Sequence, residues 1–201
     1  MPDMPRRELR PALTGVAANQ RLTALTGALL LALLAALGIT VLSVRELLLQ
    51  HMFIGLLLIP PVLLKLASTG YRFFRYYTGD MSYRAAGRPP LLSRLLAIVM
   101  VVSTVVVFAT GVELWLVGLR FGSLWVLAHK ASFVVWLVAA TLHVLRHLDV
   151  TTRAAREEAR GTMSEGAFTR RSLVVGSLVT GVVIAIASLA YASPFVVFGD
   201  G

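Results

Sequence analysis

Five apolar runs divide the chain, at residues 22–44, 47–68, 95–119, 123–148 and 172–192. Each reaches the about 20 residues that an α-helix needs to cross the hydrocarbon core of a bilayer. Lipid offers no partner to an unpaired backbone N–H or C=O, so such runs are confined to helices. The expected fold is therefore an all-α integral membrane helical bundle of five transmembrane helices. The first run is too long for the apolar region of a signal peptide and lacks a convincing cleavage site, so it counts as a span. Pro60 and Pro61 interrupt the second run and are expected to bend the helix or release some of its hydrogen bonds. With 57% hydrophobic residues and a mean hydropathy of +0.80, the composition excludes an ordinary soluble domain. The absence of cysteine excludes disulfides, iron–sulfur clusters and thiolate ligation.

A net charge of +9 would suggest a nucleic-acid partner in a soluble protein. Here the basic residues lie between the apolar runs, so no nucleic acid is expected and their placement reports orientation instead. The amino-terminal tail, the connection after the second run and the connection after the fourth hold 15 of the 17 arginines, counting those at the helix ends. The other two connections hold Arg45 and Arg120 alone. The positive-inside rule then puts the amino terminus in the cytoplasm and the carboxy terminus outside a cell membrane. The chain divides into a short mobile cytoplasmic tail at 1–21, a four-helix membrane domain at 22–148, a solvated and helical cytoplasmic connection at 149–171, and a fifth span with an external tail at 172–201. Residues 69–94 mix Arg72, Arg75, Arg84 and Arg88 with aromatic side chains, the composition of a segment lying among lipid headgroups. A quinone-headgroup or partner-docking role is a second reading of that segment. The Arg170–Arg171 pair faintly resembles a twin-arginine export signal, but deep in the chain it reads as membrane anchoring.

Three of the four histidines fall in the fourth run. An ionisable side chain at depth is costly and points to function. His129 and His143 are 14 positions apart, which puts them about 21 Å apart along a helix and within about 40° of one face, with Trp136 midway. A helix could present two such imidazoles to two haems stacked across the bilayer. The competing reading is a histidine that merely hydrogen-bonds a neighbour at the membrane surface. A partner at matching depth favours the haem. His51 lies about five residues into the second span and His129 about six into the fourth, both about 8–9 Å below the outer boundary. Gly55, four residues after His51 on the same face, would leave space for a porphyrin plane. Glu113 falls at the same level, where its carboxylate could orient a ligating imidazole or pair with Lys130 or Arg120. From depth alone, Lys130 and Arg45 could face haem propionates. At the inner level, Asn19 and Gln20 stand where a first-span ligand would be, and neither is a usual haem ligand. His147 shares a helix with His143, so it cannot take the opposite face of a haem bound there.

The segments HMFIGLLLIPP, FATGVELWL and LAHKASFVVWLVAATLHVLRHL resemble those of the membrane cytochrome b superfamily. The similarity is to the haem-b subunits of respiratory formate dehydrogenases and nickel–iron hydrogenases, and to related bacterial cytochrome b-like proteins. It covers residues 22–148 and implies that the first four helices form a cytochrome-b-like core in which the fourth serves two haems. His51 and His129 would be axial ligands of the iron in an outer haem b, and His143 one ligand of an inner haem. The chain departs from the pattern in having no histidine in its first span, so one haem is expected and the second lacks a counterpart ligand. The resemblance further implies a membrane-bound electron-transfer subunit rather than a stand-alone enzyme. Its redox partners would be an extracytoplasmic oxidoreductase and the quinone of a respiratory chain. Two rivals remain open: a non-catalytic membrane anchor or assembly protein with interfacial histidines, and a transporter using Glu113, Lys130 and the histidines as a proton path. The absence of paired interrupted half-helices counts against the transporter.

Overall fold

The structure, a computed structural model, describes residues 6–85, 87, 90–118, 123–159 and 166–189. Among these it contains six helices, α1 (Arg6–Leu42), α2 (Leu48–Tyr77), α3 (Met81–Ala85), α4 (Leu91–Val117), α5 (Leu124–Ala159) and α6 (Ala167–Leu189), and no strand. Five of them are long and apolar enough to span a membrane, the exception being the five-residue α3.

Three helices extend beyond the runs that hydropathy marks. α1 begins at Arg6, within the segment expected as a mobile tail; α2 runs on through residues 69–77, expected as a polar connection; and α5 continues to Ala159. Extending an existing helix adds one hydrogen bond per residue without a new nucleus, so polar residues that do not break a helix simply prolong it. At 30 residues, α2 is about 45 Å long against about 30 Å of hydrocarbon, and its Arg- and aromatic-rich end must project past the core. The chain reverses at Gly79, whose φ of 94° is open to a residue without Cβ. The expected connections at 119–122 and 160–165, with Arg120, and the terminal tails at 1–5 and 190–201 lie outside the described residues.

Asp80 starts α3. Its carboxylate accepts hydrogen bonds from the backbone N–H of Ser82 at 2.9 Å and of Tyr83 at 3.4 Å, and it pairs with the Arg75 guanidinium. This is a helix N-cap tied to the end of α2. Desolvation opposes the charge, but the two N–H donors and Arg75 outweigh it and hold the carboxyl below its ordinary value. A lowered carboxyl pKa stabilises the folded turn above the unfolded value of about 3.9 and loses that contribution as pH falls through the folded value. Protection of the Ser82 and Tyr83 amides, taken relative to the intrinsic exchange rate at each pH, should therefore be high at neutral pH and fall on acidification below about pH 4, and in Asp80→Ala it should be low throughout.

The spans form a four-cornered bundle. α1 packs along α2, α4 along α5, and α1 also lies against α5, while α2 and α4 approach over a shorter stretch; α2 and α5 are thereby diagonal. α6 lies outside this square against α2 and α1. Many of the buried positions are hydroxylic or small, among them Thr26, Thr40, Ser103, Thr104, Thr110, Ala139 and Ala140, whereas large aliphatic side chains such as Val102, Val105, Leu127, Val138 and Ile186 are exposed. Lipid is as apolar as leucine, so close approach of small residues and interhelical hydrogen bonds hold such a bundle together.

The prolines of α2 do not end it: the helix continues through both, and Pro61 is fully buried. Proline lacks an N–H, so Pro61 leaves the Leu57 carbonyl four residues earlier without its helical donor. That carbonyl is where α6 docks. A Cβ placed on Gly181 would stand 2.2 Å from Leu57 O, so only glycine permits this approach. Leu56, Leu57 and Ala185 form the core of the contact, with Leu33 of α1 and Val112 and Trp115 of α4 around it.

Candidate functional site: the histidine pair between α2 and α5

His51 in the first turn of α2 and His129 near the start of α5 face one another across the bundle diagonal. Their ring centroids are 6.4 Å apart and their planes nearly perpendicular, at 88°. Both rings are partly buried.

Each ring is held from behind by a threonine on a neighbouring helix. Thr40 Oγ1 of α1 lies 2.9 Å from His51 Nδ1, and Thr110 Oγ1 of α4 lies 3.0 Å from His129 Nδ1. Each hydroxyl also donates its single proton to its own helix, Thr40 to Leu37 O at 2.6 Å and Thr110 to Val106 O at 2.7 Å. The proton in each Thr–His bond must then come from the imidazole. Both Nδ1 atoms are therefore protonated, and in the neutral rings Nε2 carries the free lone pair. This is the tautomer a metal-ligating histidine needs, with its second nitrogen committed to a fixed acceptor. Depth alone left Glu113 either this orienting role or an ion pair with Lys130 or Arg120; in the structure the two threonines hold the rings, and Glu113 Oε2 is buried without a hydrogen-bond partner among the described residues.

Glycines shape the surroundings. Gly111 of α4 lies against His129, and a Cβ there would sit 3.0 Å from the ring's Cε1. A Cβ on Gly55, one turn below His51, would meet nothing within 4 Å, so there is open space on that face of α2. Arg45 and Lys130 are exposed at the same end of the bundle. Among the described residues no group of three or more His, Cys, Asp or Glu could hold a metal ion. The site thus brings together two imidazoles carried by helices on opposite corners of the bundle.

Between the two histidine levels of α5, Trp136 donates from Nε1 to Thr104 Oγ1 at 3.0 Å, tying α5 to α4, and stacks near Phe133. At the far end His143 is partly buried and stacks on His147 with centroids 4.5 Å apart. His147 Nδ1 donates to the His143 carbonyl at 2.9 Å, so it serves its own helix. Asn19 donates to Ser68 O at 3.0 Å and Gln20 is exposed. No protein-family model, curated protein or solved structure matches the chain.

Proposed function

We propose that the chain is a membrane-bound haem-b electron-transfer protein in which His51 and His129 are the axial ligands of one haem. The observation that carries this reading is the facing imidazole pair, each ring fixed by a threonine with its Nε2 lone pair free. The geometry fits the group. A metal–imidazole bond of about 2 Å on each side of one ion puts the ring centroids about 6 Å apart, and the observed separation is 6.4 Å. A porphyrin would supply further donors beside the two imidazoles, and the open space beside Gly55 would leave room for it on the His51 face of α2.

Haem brings the one-electron chemistry; the chain sets ligand identity, burial and ring orientation. Thr40 and Thr110 keep Nδ1 protonated and raise the basicity of Nε2, and Gly111 lets the His129 ring lie close to α4. The arginine distribution supports an orientation with the His51 end outside a cell membrane. The haem would then exchange electrons with an extracytoplasmic oxidoreductase, and the membrane quinone pool would be the other redox partner.

The test is a reduced-minus-oxidised visible spectrum of the purified full-length protein. A b-type band supports the reading, and a folded, haem-free protein overturns it in favour of an anchor or assembly role. Thr40→Val and Thr110→Val should each weaken haem retention about 10- to 100-fold, the usual effect of losing an outer-shell partner, as measured by haem transfer to an apoprotein acceptor. Unchanged retention in both would remove the threonines from the site.

A further inference from the structure

The planes of the two rings cross at 88°, close to the widest angle that two planes can make. Facing nitrogens alone do not require this, since an imidazole can turn about the line through its Nε2 without losing its aim. Each ring is turned by its own neighbours instead. His51 is pinned through Nδ1 to Thr40 of α1 and His129 through Nδ1 to Thr110 of α4, so the two planes are fixed independently from two different helices. The anchors are themselves stiff. A β-branched side chain has few χ1 choices, and each hydroxyl is held to its own helix, Thr40 by Leu37 O and Thr110 by Val106 O and Val107 O.

Gly111 fixes the His129 plane from a second direction. A Cβ there would stand 3.0 Å from the ring's Cε1 and 3.5 Å from its Nδ1, so any side chain at this position would press on the part of the ring that Thr110 holds. The ring lies in its present plane because position 111 carries none.

Resting on the haem reading above, we propose that Thr40, Thr110 and Gly111 are positioning residues that hold the axial imidazoles crossed and thereby raise the reduction potential of the haem. Axial ligation and the hydrogen bonds behind it are the chain's levers on that potential. Each imidazole donates π density perpendicular to its ring plane, so parallel rings raise one iron d orbital above its partner, whereas crossed rings raise both alike. Low-spin ferric iron has one vacancy in these orbitals and gains from the splitting; ferrous iron has none and gains nothing. Crossed rings withhold that gain from the ferric state, which favours the added electron. Nδ1 is not the nitrogen that binds, so ligation at Nε2 leaves both threonine anchors in place. From 88°, a turn of either ring by more than a few degrees in either direction reduces the crossing, so every such disturbance moves the potential the same way, downward.

Electron paramagnetic resonance of the oxidised full-length protein, with a redox titration beside it, tests this. The wild type is expected to give one highly anisotropic low-spin signal dominated by a single large g value, the mark of crossed planes, in place of the three resolved features of parallel planes. Gly111→Ala should keep the haem content and the six-coordinate low-spin spectrum, shift the signal towards the three-feature form and lower the midpoint potential. Thr110→Ser keeps the hydroxyl and should retain the wild-type signal. So should Gly38→Ala on α1, where a Cβ meets nothing within 4 Å. A three-feature signal in the wild type overturns the inference while the haem reading stands, and that readout needs no variant to fold. Gly111→Ala with an unchanged signal or an unchanged potential overturns it as well. A folded protein without haem overturns the haem reading itself, and this inference with it.

Discussion

In His51→Ala and in His129→Ala, the bis-imidazole haem signal is expected to disappear completely, and the haem content to fall by one per chain. Each histidine would supply one of the two protein bonds to the iron, and among the described residues there is no group of three or more His, Cys, Asp or Glu that could hold a metal ion. The remaining imidazole would keep its threonine, since Thr40 serves His51 and Thr110 serves His129 through different helices. A single-histidine site is five-coordinate, with a weaker hold on the porphyrin and a high-spin spectrum if any haem is retained. The bundle itself should survive, because replacing a partly buried polar ring by a methyl group in an apolar setting leaves no uncompensated charge. Helicity and detergent-solubilised size of the variants, measured beside the spectra, separate ligand loss from unfolding. A low-spin bis-imidazole spectrum persisting in either variant would remove that histidine from the iron.

Gly181→Leu is expected to detach α6 from the bundle, and Gly181→Ala to do so in part. Even one methyl group at this position would lie 2.2 Å from the Leu57 carbonyl oxygen, and a backbone atom in mid-helix cannot swing aside as a side-chain end can. Overpacking of a well-packed contact costs typically about 1–3 kcal/mol, and here the obstacle is backbone rather than a flexible side chain. The fault should stay local, since α6 packs against α2 and α1 outside the four-helix square. Gly176→Ala provides the control on the same helix, because a Cβ there meets nothing within 4 Å. Limited proteolysis between α5 and α6, with thermal stability in detergent, should rank the variants as wild type equal to Gly176→Ala, then Gly181→Ala, then Gly181→Leu. Equal stability of all four would show that the Leu57 contact does not hold α6.

The histidines were legible as candidates because charge at depth is rare and stands out in a hydropathy pattern. Their depths could also be counted, since rise per residue is constant. The threonines behind them carried no comparable signal. Thr40 and Thr110 are single hydroxyls in apolar runs, as are Thr26 and Thr104, and only the positions of the neighbouring helices single out the two that meet an imidazole. Glu113 illustrates the reverse case: depth put it at the histidine level and left two roles open, because depth says nothing about the direction in which a side chain leaves its helix.

Length and apolar content are local properties, so the sequence by itself determined that this chain makes five membrane-length helices and where, to within several residues, each lies. The rotation of each helix about its axis is a different matter. In water an apolar stripe marks the buried face, but in lipid the outward face is as apolar as the inward one, and the pattern that sets rotation in a soluble bundle is absent. Tertiary structure therefore decided which faces meet: the histidines across the diagonal, the threonines behind them, and Gly181 on the carbonyl that Pro61 leaves free. Those choices depend on steric fit and on hydrogen bonds between residues far apart in the chain, which no reading of single segments contains.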